Sequence, residues 1–244
     1  AIVIGRICQG VEMANFIAWS HSRLKAFKDC PKQFYHMNVA KKGHPDRVDY
    51  FETDAMRAGT EIDNALTARI SLGTPLPEKF AHFEPMALVV LKADGEKLTQ
   101  VKLALDQTLQ PCGYMDWDKA WVRVIYDVAV FRGDYAFLGD WKNGQIWLDE
   151  DQLRLFATVG FHQFPEVQTI DTSYIWLKHG ITTDRTYHRR ELPDLWQTFV
   201  PDVERLQIAF HNNHWPAEPK RGKSTCKWCT VNKAGKCPVA MGAY

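Results

Sequence analysis

A chain of 244 residues with net charge +1, 45% hydrophobic and 24% charged residues has the make-up of a globular protein of one large or two small domains. No apolar run reaches the roughly 18–20 residues that cross a bilayer, so a membrane partner is not expected. The near-neutral charge excludes a polycation and leaves polyanion binding to local patches. Six cysteines in a chain this long point to metal binding in the cytoplasm rather than to a disulfide scaffold.

Residues 1–19 read as an N-terminal extension. Its AIVIGRICQG start is apolar but carries Arg6 and lacks a basic leader, which makes it a poor signal peptide. Ser20 or Ser22 can cap a helix running to about residue 40, with Pro31 predicting a kink or break. A basic loop at 41–47 leads to a second helix over 48–72, which GTPLP ends. A short helix follows at 81–92, then a strand at 101–105. Two apolar, β-branched and aromatic runs, 124–131 and 135–141, flank Gly133-Asp134, a hairpin turn signal. Asp149 can cap a helix carrying Gln152. Strands at 167–177 and 182–189 and a long amphipathic helix at 192–211 complete the order. This succession predicts an α/β fold, a central mixed sheet flanked by helices. Residues 20–244 read as one domain ending in a tail at about 213–244.

The hairpin holds the first chemical signal. A two-residue turn at Gly133-Asp134 sets Asp127 opposite Asp140, with Cβ atoms about 5 Å apart, and puts Lys142 on the same face. Two like charges facing each other weaken a sheet, unless they lie on a solvated face or share a cation. Hard carboxylate oxygens suit Mg²⁺ or Mn²⁺. A neighbouring ammonium can orient water and steady a phosphate.

Asp127, the hairpin, Asp140-Trp141-Lys142 and Gln152 on the next helix together resemble the PD-(D/E)XK nuclease superfamily, in its RecB-like, phage exonuclease-like branch. The opening SHSRLKAFKDCPKQFYH is similar as well, and the likeness spans about residues 20–237. It implies a restriction-endonuclease-like sheet and a metal-dependent deoxyribonuclease, an exonuclease serving recombination or repair beside a helicase or recombination partner. It also implies that Asp127, Asp140 and the backbone carbonyl of Trp141 hold Mg²⁺ or Mn²⁺, while Lys142 and Gln152 act on water and phosphate. The family's Gly-x-x-x-His element supplies a further ligand. Here Gly59 is followed at that spacing by Asp63, which departs from the pattern but is itself a natural ligand for a hard cation. Gln100 stands about where related proteins carry an acid.

Cys226-Lys-Trp-Cys229 and Cys237 form the second signal, with Cys30 as the candidate fourth thiol. Their order matches the AddB-like layout of one N-terminal and three C-terminal cysteines, which implies a [4Fe–4S] cluster. Four thiolates suit Zn²⁺ equally well, and the long gap before Cys237 leaves unmetallated thiols as a third reading. Cys8 and Cys112 have no evident partner. Lys220, Arg221, Lys223 and Lys227 form one candidate DNA-binding patch; Lys25, Lys28 and Lys32 form another. Trp117 and Trp121 flank the approach to Asp127, where packing or base stacking would each use an indole. Two other readings stand beside the nuclease: a catalytically silent nucleic-acid-binding protein on the same fold, and a structural or partner-binding subunit.

Overall fold

The computed structural model describes residues 16–147, 149–220 and 222–237, with the side chains of 223–225 excepted. Residues 1–15, with Cys8, and Arg221 lie outside the described residues, as does the side chain of Lys223. The chain divides into two compact units, one of residues 53–198 and one that joins the segment up to 52 to the segment from 199 on.

The first unit is α/β. Helix α3 (Asp54–Leu72) starts at Thr53, whose hydroxyl accepts from the Met56 N–H, and stops at Gly73, which takes the left-handed conformation at φ 71°. Its start lies six residues later than the predicted 48, because the capping threonine rather than the preceding basic loop opens it. A 3₁₀ turn at Glu78–Phe83 runs into α4 (Glu84–Lys92). A six-stranded mixed sheet follows, in the order β2-β1-β3-β4-β5-β6. It comprises β1 (Glu96–Leu105), β2 (Pro111–Cys112), β3 (Val122–Arg132), β4 (Tyr135–Lys142), β5 (Thr169–Trp176) and β6 (Ile181–His188). Only β4 and β5 run parallel, and α5 (Asp151–Gln163) connects them, as a parallel pair requires. Helices α3 and α4 cover one face, packing Ile62, Leu66, Ile70, Ala87 and Val90 on Val128, Val130, Trp141 and Ile175. Helix α5 covers the other face, where the Tyr126 hydroxyl donates to the Phe156 carbonyl at 2.9 Å.

The hairpin forms as its turn residues predict. Gly133 takes φ 59°, Arg132 pairs with Tyr135, and the register runs without a slip to Val128 opposite Gly139. There the β3–β4 ladder ends, one pair short of Asp127 and Asp140. On the other side of β3, Gln100 is missing from an otherwise continuous pairing with β1, and it adopts φ 52°, a costly conformation for a residue with a Cβ. At the same point the side chains of β3 change faces. Tyr126 points to α5, whereas Val128 and Val130 point to α3 and α4. The expected cross-strand pair of aspartates is therefore replaced by an opening in the sheet.

The second unit packs the segment before residue 53 with the segment from 199 on. Helix α1 (His21–Asp29) is capped by the Ser20 hydroxyl on the Arg23 N–H. It breaks at Pro31 as predicted: Cys30 is extended, α2 (Pro31–Phe34) begins with the proline, and a π-helical turn occupies Tyr35–Val39. The expected single helix over 192–211 is two, α6 (Leu192–Gln197) in the first unit and α7 (Val200–His211) in the second. Pro201 lies in the first turn of α7, where its missing N–H costs nothing, but it cannot sustain a helix arriving from α6. The tail carries α8 (Lys223–Trp228) and α9 (Thr230–Lys233). It returns to α1 and α2 through backbone bonds from the Lys32 N–H to the Pro216 carbonyl and from the Lys220 N–H to the Asp29 carbonyl, at 3.0 and 2.9 Å.

Gly139 marks the last closed rung of the hairpin. A Cβ there would stand 2.7 Å from the Val128 Cγ1, with Phe137 and Ile175 close behind. Gly139→Ala is expected to cost about 1–3 kcal/mol of stability by overpacking, read as a lowered midpoint in urea. An unchanged midpoint would mean that β3 and β4 part more easily than this packing implies.

Candidate active site

Five elements deliver side chains to the opening between β3 and β4. Asp63 comes from the middle of α3, Gln100 from β1, Asp127 from β3, Asp140 and Lys142 from β4, and Gln152 from the first turn of α5. The separation of the strands frees the Trp141 N–H, and Asp127 takes it with a carboxylate oxygen at 2.9 Å. The Gln100 amide donates to both oxygens of Asp63, at 3.1 and 3.0 Å, and lies 3.5 Å from Asp127. The strained backbone of Gln100 thus aims an amide between two acids.

Asp140, Lys142 and Gln152 form a closed triangle. The Lys142 ammonium is 2.6 Å from Asp140 and donates to the Gln152 carbonyl oxygen at 3.1 Å, while the Gln152 amide donates to Asp140 at 2.7 Å. Tyr174 lies beneath, its ring 5.0 Å from the Lys142 nitrogen and its hydroxyl donating to the Asp149 carbonyl. Asp149 accepts from the Asp151 N–H, but the residue at the N-cap of α5 is Glu150, one position later than predicted.

The electrostatics follow from this crowding. Burial, then the charges of Asp140 and Asp63, push the Asp127 carboxyl up to about 8, against the lowering effect of the Trp141 N–H and of Lys142. Burial and Asp140 also raise Asp63, with Gln100 opposing. Among the described residues, no three Asp, Glu, His or Cys side chains are arranged to hold a metal ion as they stand. Locally, protein donors hold the carboxylate oxygens. The donor set itself, three carboxylates, suits a hard divalent cation.

The sequence pattern locates Asp63, Asp127, Asp140, Lys142 and Gln152, and the structure brings all five together. It does not reveal Gln100 as a donor or Tyr174 as the ring beneath Lys142. A glutamine inside a β-propensity run carries no sign of a positive φ, and an aromatic residue in a buried strand looks like core. The two flanking tryptophans differ. Trp121 is buried and stacked on Trp196, whereas Trp117 is exposed and lies 4.2 Å from the Arg123 guanidinium.

In the second unit, Cys30, Cys226, Cys229 and Cys237 line one small cavity. Burial raises the Cys30 thiol, and the nearby Cys229 adds to it. Cys112 belongs to the other unit. Lys25 and Lys28 pair with Asp29 and Asp202, and the Lys32 ammonium lies 5.6 Å from the Tyr35 ring. Lys220 and Lys227 are exposed.

No family model matches this chain, and no curated protein does. Among solved structures it is similar to the crystal structure of SSO0001, with 13% identity, coverage of 98% of this chain and 93% of that chain, and a TM-score of 0.40. A likeness that slight does not bear on function.

Because the folded pKa of Asp127 lies above its unfolded value, the native state binds more protons than the unfolded chain between pH of about 4 and 8. Stability from this group is complete below that window and is lost as pH rises through it. Without added divalent cation, Tm is expected to fall from pH 5 to pH 8.5, and less steeply in Asp127→Asn. Added Mn²⁺ should restore several degrees at pH 8.5 and little at pH 5, since binding requires the ionised carboxylate. Parallel pH profiles for the two proteins would overturn the assignment.

Proposed function

We propose that this chain is a metal-dependent deoxyribonuclease of PD-(D/E)XK type that hydrolyses phosphodiester bonds at DNA ends. The observation that carries this reading is the charge imbalance at the opening in the sheet. One lysine meets three carboxylates, two of them raised by burial and mutual repulsion, which leaves an excess that a single divalent cation would neutralise.

On this reading Asp63, Asp127 and Asp140, with the Trp141 carbonyl, hold Mg²⁺ or Mn²⁺. The bound cation supplies positive charge to the phosphodiester. Lys142, held by Asp140 and Gln152, orients the attacking water and hydrogen-bonds the phosphoryl oxygens as negative charge grows on them. Water adds to phosphorus as the P–O ester bond breaks, giving a phosphate monoester and a free hydroxyl. Gln152 is a positioning residue, since it binds both the acid and the base of the pair. The four cysteines hold a [4Fe–4S] cluster, or Zn²⁺ in its place, and tie α1 to the tail.

One observation favours a second reading. The Gln100 amide occupies both oxygens of Asp63, and a carboxylate so engaged suits a silent DNA-binding protein.

The deciding experiment incubates end-labelled linear DNA and closed circles with Mn²⁺, Mg²⁺ or chelator. Metal-dependent loss of the linear form alone is expected, with Asp140→Ala and Lys142→Ala each reducing it about a hundredfold or more and retaining a cooperative melt. Binding without cleavage in either metal would favour the silent protein, and undiminished cleavage by both variants would remove this site. For the clasp, protein purified without oxygen is expected to show the brown absorption of a cluster. Cys229→Ser should lose both the metal and several degrees of Tm. Stoichiometric zinc would replace the cluster, and protein free of iron and zinc would end the metal reading.

A further inference from the structure

From Pro219 to Lys236 the chain carries six cationic side chains and no Asp or Glu. In the middle of this run, at the C-terminal end of α8, Trp228 is 72% exposed, a large apolar ring with no core to join. The Lys227 and Lys233 ammonium groups lie 5.4 and 5.3 Å from its ring centre, and both lysines are exposed. Structural needs do not account for this. The backbone around it is held elsewhere, by the Asn232 amide on the Cys226 carbonyl and by the buried Val231 and Cys229. Lys236, by contrast, is committed to the Pro45 and Arg47 carbonyls and closes the tail onto the basic loop.

An exposed indole between two ammonium groups matches an unpaired nucleotide chemically. The flat ring stacks on a base, and the cations meet the phosphates on either side. A duplex offers the same phosphates but keeps its bases stacked inside. A folded protein partner would call for apolar neighbours, and Trp228 is ringed by lysines. We propose that Trp228, with Lys227 and Lys233, is a stacking platform for single-stranded DNA. The choice of DNA among polyanions rests on the nuclease reading; the platform itself does not depend on cleavage.

The test measures fluorescence anisotropy of labelled oligo(dT), and of a duplex of equal length, on the full chain without divalent cation. Trp228→Ala is expected to weaken oligo(dT) binding about five- to a hundredfold and duplex binding far less, while Trp228→Phe keeps most of the affinity. The Lys227→Ala/Lys233→Ala pair should flatten the dependence of log affinity on log salt by about 1.4, at about 0.7 for each phosphate no longer neutralised. Leu72→Ala, an exposed apolar side chain in the other unit, is the control and should leave binding unchanged. Wild-type affinity in Trp228→Ala, or equal losses on both substrates, would overturn the platform. Cleavage of the same oligonucleotide with Mn²⁺ separates the two proposals. Cleavage with Trp228-independent affinity leaves the nuclease standing alone, and Trp228-dependent affinity without cleavage leaves the platform alone.

Discussion

The first unit depends on one conflict, the confinement of Asp63, Asp127 and Asp140 to a single opening in a sheet. Like charges in a partly buried space repel strongly, and each is denied much of its hydration. The molecule answers in two ways. Asp140, the most buried of the three at 6% exposure, receives a lysine and a glutamine amide, a nearly self-sufficient arrangement. Asp127 and Asp63 receive only neutral donors, the Trp141 N–H and the Gln100 amide. The carboxyls of this second pair are both raised, and both remain half-buried.

The backbone is bent to serve the same opening. A regular β3–β4 ladder would use the Trp141 N–H in the sheet and hold the Asp127 side chain above its plane. Ending the ladder at Val128 and Gly139 releases that N–H for the carboxylate. The left-handed Gln100 does the equivalent on the other side of β3, giving up one rung to turn its amide inward. Strained backbone costs of order 1–3 kcal/mol and persists only where its surroundings over-determine it. Here the long β1–β3 pairing on both sides of the missing rung and the packing of α3 on the sheet provide that support.

How legible this was depended on the range of the interaction. The hairpin turn, its register and the break at Pro31 follow from local chemistry, and so they could be read from Gly133-Asp134 and from a proline. Residues 96–100 of β1 did not read as strand, since Glu96, Lys97, Thr99 and Gln100 lack the apolar alternation; their partner β3 supplies it. The change of face at Asp127 has no local signal at all. It arises from Gln100, Asp63 and Trp141 acting across three elements. The division between α6 and α7 has a local sign in Pro201, but the apolar periodicity on both sides concealed it. Cys30 and the C-terminal cysteines lie far apart in sequence, and only their order, not any local spacing, joined them before the cavity they share was seen.

The triangle of Asp140, Lys142 and Gln152 also limits what the lysine can do. Its ammonium lies 2.6 Å from a buried carboxylate and 5.0 Å from the Tyr174 ring, so its position is fixed from two sides. On the proposed reading it supplies a fixed positive charge where negative charge develops, with no reorganisation when it does. Gln152 matters for the same reason. Contacting both partners, it fixes the direction of the ammonium without competing for charge, which a glutamate would do and a shorter asparagine could not reach to do. Across the opening, Asp127 holds the Trp141 N–H, a bond that exists only while β3 and β4 stay apart at this point.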